Sequence, residues 1–172
     1  KIQRSIVIGL ILGDGHLETQ DGGKTYRLKV EHSIKQKDYV DWLYVQLESL
    51  VASRQKLKMR NLGNKEYISY WFTTYSLGAF RFYAQKFYSN GKKIIPEIVS
   101  KLLDPLAMAI WFMDDGSFKS SRHRTFIIHT LGYSKQDLLK IKELFKKKFG
   151  IDIELHRQKV SKFRLYVFSR SA

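Results

Sequence analysis

The chain's 172 residues carry 44% hydrophobic and 14% aromatic side chains, enough for a packed core in one domain or two fused half-size units, and this excludes a disordered polymer. Lysine and arginine number 31 against 16 acids, a net charge of +15, which calls for a polyanionic partner, either nucleic acid or an acidic membrane surface. The absence of cysteine also excludes disulfides and thiolate zinc sites.

The basic excess is not a tail: residues 1–88 hold 14 basic groups against 8 acids, and residues 89–172 hold 17 against 8. The apolar runs fall short of the roughly 20 residues that cross a bilayer, and no signal-peptide pattern opens the chain. A soluble protein without a membrane partner is expected. The apolar run at 5–13 predicts a buried helix with Ser5 as its N-cap. "TYRLKVEH" (25–32) alternates Tyr26, Leu28 and Val30 with Arg27, Lys29 and Glu31, the pattern of a half-buried strand with one charged face. "GDGHLE" supplies a partner strand that turns through "DGG" at 21–23. A helix is expected over 36–51, strands over 55–60 and 66–74 joined by "LGN", and a helix over 77–88.

The second half replays that order. Asp104 as N-cap and Pro105 at the first helical position open a helix over 104–116. "TFIIHTLG" (125–132) reads as a strand, and "KQDLLKIKELFKKKFG" (135–150) as an amphipathic helix closed by Gly150. Strands at 151–158 and 162–169 form a hairpin. The fold class expected is α+β, an α-β-β-α-β-β unit present twice. The halves are 1–88 and 105–172, with 89–104 as connection.

Two apolar helices in this scheme end in acids: "VIGLILGDG" at Asp14 and "AIWFMDDG" at Asp114 and Asp115. Helix C-termini are electronegative and disfavour carboxylates. One Asp-Gly step is an ordinary turn signal; two at matching places in repeated units point elsewhere. Gly9 and Gly13 share a helix face and permit close approach of a partner helix, to which the second helix offers Ala107 and Ala109. A pseudo-two-fold axis then brings Asp14 and Asp115 together, where a divalent cation relieves their repulsion.

These two segments resemble the signature helices of the LAGLIDADG homing endonucleases, in the single-chain, two-motif form. "WFMDDG" and "KKIIP" resemble the subgroup that includes the yeast mitochondrial intron endonucleases. The likeness covers nearly the whole chain, and motif order and spacing agree. The resemblance implies paired saddle-shaped antiparallel sheets over the DNA major groove, with two central packed helices. It implies Asp14 and Asp115 as catalytic metal ligands, backbone carbonyls of Gly13 and Asp114 beside them, and Lys93 as an assisting group. Two or three Mg²⁺ ions shared between the acids, and a staggered double-strand break in a long, pseudo-asymmetric DNA site, go with that reading. A monomer is expected. Members of the subgroup continue past the last strand into another helix and a second basic residue, whereas this sequence stops at Ala172.

Base recognition is expected on the polar strand faces, because a two-stranded ribbon fits the major groove. The candidates are Arg27, Lys29, Glu31, Lys56, Lys58, Arg60 and Lys65, then Arg122, Arg124, His156, Gln158 and Arg164. His16, next to the first motif, is a weaker candidate. The aromatics of "YISYWFTTY" are expected in the core, and "KKK" at 146–148 on a solvated helix face. The five histidines lack metal-ligand spacing, which speaks against zinc. Two other functions fit the basic surface: an intron-RNA maturase on the same fold, and a non-cleaving DNA-binding protein. The two acids favour cleavage over both, and the sequence names no target site and no compartment.

Overall fold

A computed structural model describes residues 1–120 and 123–168. Arg122 lies outside the described residues, and so does the side chain of Arg124. The apolar run near the N-terminus forms α1 (Ile2–Leu12), buried from Ser5 onward. Its two-stranded sequel is β1 (His16–Glu18) and β2 (Arg27–Ser33), joined across the Asp21 turn, whose carboxylate accepts backbone N–H groups of Lys24 and Thr25. Next come α2 (Lys37–Gln46), β3 (Lys56–Leu62), β4 (Lys65–Thr73) and α3 (Gly78–Phe87). The short β5 (Tyr88–Ser89), β6 (Lys92–Lys93) and α4 (Val99–Leu102) form the connection. The second unit is α5 (Pro105–Asp115), β7 (Gly116–Ser120), β8 (His123–Ile128), α6 (Lys135–Phe149), β9 (Ile153–Lys159) and β10 (Lys162–Val167).

The duplication is visible in strand order. One sheet runs β1-β2-β4-β3 and the other β7-β8-β10-β9, antiparallel throughout. The order corresponds strand for strand once the second unit is laid on the first. One hydrophobic core serves both halves, from Ile6, Leu10 and Phe72 to Trp111, Phe145 and Leu165.

α1 and α5 pack directly on each other at the centre. A Cβ on Gly9 would stand 2.5 Å from the Ala107 carbonyl oxygen and from the Ile110 Cβ, and one on Gly13 would run into the Asp114 side chain. The seam on α5 is therefore Ala107, Ile110 and Asp114, spaced as one helix face. Ala109 does not join it. It is exposed on the other side of α5, lining an apolar groove with Met108 and Phe112, because two residues along a helix is a turn of about 200°.

Some boundaries differ from expectation. Ser5 is not a cap but lies inside α1, buried, with its hydroxyl 2.5 Å from Asp104 Oδ2. Asp104 is the N-cap of α5, its Oδ1 accepting the Ala107 N–H at 2.9 Å, so Ser5 ties α1 to the start of its partner. The helix expected over 36–51 ends at Gln46, followed by a 3-10 turn at Glu48–Leu50. Residues 129–132 leave the β8 ladder and lead to the α6 N-cap Ser134. Gly150 closes α6 in the left-handed conformation, φ 69°, where a Cβ is costly.

Candidate active site and nucleic-acid interface

The close α1–α5 seam brings two acid-terminated helix ends together. Asp14 follows Gly13, the C-cap of α1, with its side chain 52% exposed, while the Asp114 side chain in the last turn of α5 is fully buried. Asp115 is half-buried and ends the same helix. Its Oδ2 accepts the Trp111 indole N–H at 3.1 Å. Burial pushes the Asp115 carboxyl up to about 6, with the nearby Asp14 charge adding to the shift and Lys93 opposing it. Burial likewise pushes Asp114 up to about 7, opposed by hydrogen bonds from the Asp14 N–H and Tyr39. The mutual repulsion felt by these acids is the condition a cation would relieve.

One cation is already present in the form of Lys93. β6 presents its Nζ to the helix-end carbonyls, 2.5 Å from Gly13 O and 2.7 Å from Gly15 O. Burial lowers the Lys93 pKa, while Asp115, Asp14 and Asp114 hold the proton on. A second terminal carbonyl, that of Leu12, accepts from the buried Tyr133 hydroxyl at 2.7 Å. The unsatisfied end of α1 is thus closed by groups from other elements.

Asp14 opens on a cleft of about 510 Å³ whose other walls include His16, Lys29, Glu31, Arg60 and Ser69, so the acid and the polar face of the first sheet share one space. The register explains the wall. Leu28, Val30 and Phe72 point to the core, and the alternate residues Lys29, Glu31 and Trp71 point away. Lys56, Lys58 and Arg60 pair with Trp71, Ser69 and Tyr67 and fall on that same outer face, and alternation along β4 puts Lys65 there too. Arg27 pairs with Glu18 at 2.6 Å, Lys29 with Glu31 at 2.6 Å, and Arg60 with Glu31 at 3.3 Å. Glu31 therefore fixes two cations, with Ser69 donating to it at 2.7 Å.

In the second sheet His156 stacks on Tyr166 with ring centroids 4.1 Å apart, and Arg164 hydrogen-bonds Gln158. Residues missed in the sequence lie among these. Trp71 is not core: the Lys29 and Lys56 ammonium groups sit 5.3 and 5.7 Å from its ring centroid. Lys119 bonds the Tyr166 hydroxyl at 3.1 Å and covers its ring. Both aromatics share strand parity with basic neighbours, a period-2 signal that was available. His16 contacts Tyr88 edge-on, and its pKa is lowered, chiefly by burial and next by Lys93.

A chain of two matching units, whose central helices finish side by side in acids beneath basic sheet faces, has the architecture of the two-motif, single-chain homing endonucleases. The chain belongs to the LAGLIDADG DNA endonuclease family, whose model matches residues 4–172. It is similar to the solved structure of the homing endonuclease I-WcaI bound to its DNA recognition sequence, with TM-score 0.90 and 25% identity over 98% of this chain and 76% of that one. It is 26% identical to DNA endonuclease I-ChuI of Chlamydomonas applanata, covering 95% of this chain and 80% of the relative. It is also 31% identical to the cytochrome b mRNA maturase bI2 of Saccharomyces cerevisiae over 73% of this chain, but spans only 35% of that protein.

Proposed function

We propose that this chain binds a long double-stranded DNA site across both sheet faces and cuts both strands in a divalent-metal-dependent reaction at Asp14 and Asp115. The observation that carries the reading is the placement of Asp14, at the end of a central helix, in the same cleft as the basic strand face. Among the described residues no cluster of three or more His, Cys, Asp or Glu could hold a metal alone. The two carboxylates supply hard oxygen donors and leave most positions to water and phosphate oxygens, which suits Mg²⁺. Asp14 and Asp115 would hold the ions, with Gly13 and Asp114 carbonyls as further donors. A metal there supplies an activated water and neutralises charge on the phosphate. This chain's own part is to set the two acids at the helix ends, to place Lys93 beside the reacting phosphate, and to fix the DNA through both sheets. A cleavage assay on a randomised DNA library with Mg²⁺ tests the reading: cut products with a common sequence support it, and an uncut library overturns it. Similarity to a maturase favours intron RNA as a second ligand, which competition of that RNA against the DNA site would detect.

Two consequences follow from the charges. If the basic faces neutralise six to ten phosphates, raising salt from 50 to 200 mM should weaken binding by roughly a thousandfold or more; a flat salt response rules out a long phosphate track. The second concerns pH. A carboxyl raised to about 6, as Asp115 is, stays protonated below that value and must lose its proton to ligate a metal. At limiting Mg²⁺ the cleavage rate should therefore rise about tenfold per unit below pH 6 and level off above it. Raising Mg²⁺ should move the bend to lower pH.

A further inference from the structure

The two acids are held by different means. Aligning the motifs puts Gly13 opposite Asp114 and Leu10 opposite Trp111. Asp115 is fixed directly, by the Trp111 indole of its own helix at 3.1 Å. The Asp14 carboxylate accepts no hydrogen bond among the described residues; its backbone is held instead. Its N–H donates to Asp114 Oδ2 at 2.9 Å, across the seam, and Tyr39 from α2 donates to Asp114 Oδ1 at 2.9 Å. His32, at the end of β2, stands between the acids with Nδ1 3.8 Å from Asp14 Oδ2 and Nε2 3.6 Å from Asp114 Oδ1. It is edge-on to the Tyr39 ring, and its buried Nε2 has no hydrogen-bond partner. A buried polar atom left unpaired is costly, and the acid it faces is a few tenths of an ångström beyond hydrogen-bonding reach.

We propose that Asp114, Tyr39 and His32 are positioning residues for Asp14 alone, so that the two DNA strands are cut by unequally supported carboxylates. The Asp114 side chain is a clasp rather than a metal ligand: one oxygen grips the Asp14 backbone and the other is anchored to α2 through Tyr39. His32 fills the gap between the two acids. The proposal rests on Asp14 and Asp115 being the metal-binding acids, each serving the cut of one strand.

The test follows supercoiled plasmid through nicked to linear product, with each nick mapped to its strand. In Tyr39→Phe the strand served by Asp14 should be cut about 10–100-fold more slowly, the usual cost of losing an outer hydrogen bond to a metal site. The other strand should be cut near the parental rate, so nicked DNA accumulates. Asp114→Ala should nick the same strand, while Asp114→Asn, which still accepts the Asp14 N–H, should restore paired cutting. DNA affinity of Tyr39→Phe should stay close to parental, while its melting temperature should fall by a few degrees because the buried Asp114 Oδ1 loses its donor. Equal slowing of both strands in Tyr39→Phe and Asp114→Ala, or no slowing in either, overturns the proposal. Should one variant fail to fold, the other gives the strand assignment. Full activity of Asp14→Asn would instead sink the metal reading beneath it.

Discussion

Asp115→Asn should abolish cleavage, with a loss of at least about a thousandfold, or roughly 4 kcal/mol of barrier. The amide keeps the shape of the side chain and can still accept the Trp111 N–H, but it is a poor ligand for a hard cation. Asp14→Asn should behave alike. DNA binding should survive in both and tighten slightly, because an anion facing the phosphates is gone. The metal-free protein should melt no lower than the parent. Burial and the Asp14 charge disfavour the ionised Asp115, and a negative charge at a helix C-terminus is unfavourable. Gel-shift, cleavage and melting on the same preparations decide the matter. Undiminished cutting would exclude Asp115 as a metal ligand, and loss of folding would make it a structural turn residue.

The second large effect belongs to the seam. Gly9→Val should cost roughly 3 kcal/mol or more, or prevent folding. Its new Cβ would meet backbone, the Ala107 carbonyl at 2.5 Å, and backbone in two packed helices cannot turn aside. Gly132→Ala is the control: nothing lies within 4 Å of a Cβ there and its φ is not positive, so a change of about 0.5 kcal/mol or less is expected. Urea unfolding of both variants gives the comparison. A neutral Gly9→Val would mean that α1 and α5 do not meet on this face.

Much of the fold could be read from local pattern. Tyr26, Leu28 and Val30 alternating with charges gave β2, Asp104-Pro105 gave the start of α5, and Gly150 its place after α6, because each signal acts within a few residues. Trp71 was misplaced because an aromatic on a half-buried strand satisfies either face. Its parity with Lys56 and Lys58, and the partner strands that present Lys29, decided the question. Ala109 was misplaced because a stripe of small residues does not say which of them the partner helix covers.

The sequence by itself determined the duplication, the two acid-terminated helices and the basic balance, since these rest on order, spacing and composition. Only the tertiary structure decided how the acids are held. The Asp114 clasp to the Asp14 N–H spans 100 positions of sequence, Lys93 reaches the Gly13 carbonyl across 80, and Tyr133 reaches the Leu12 carbonyl across 121. Such contacts leave no local periodicity. The clasp exists because two glycines let the α1 and α5 backbones approach closely, while Lys93 and Tyr133, from later in the chain, close the end of α1.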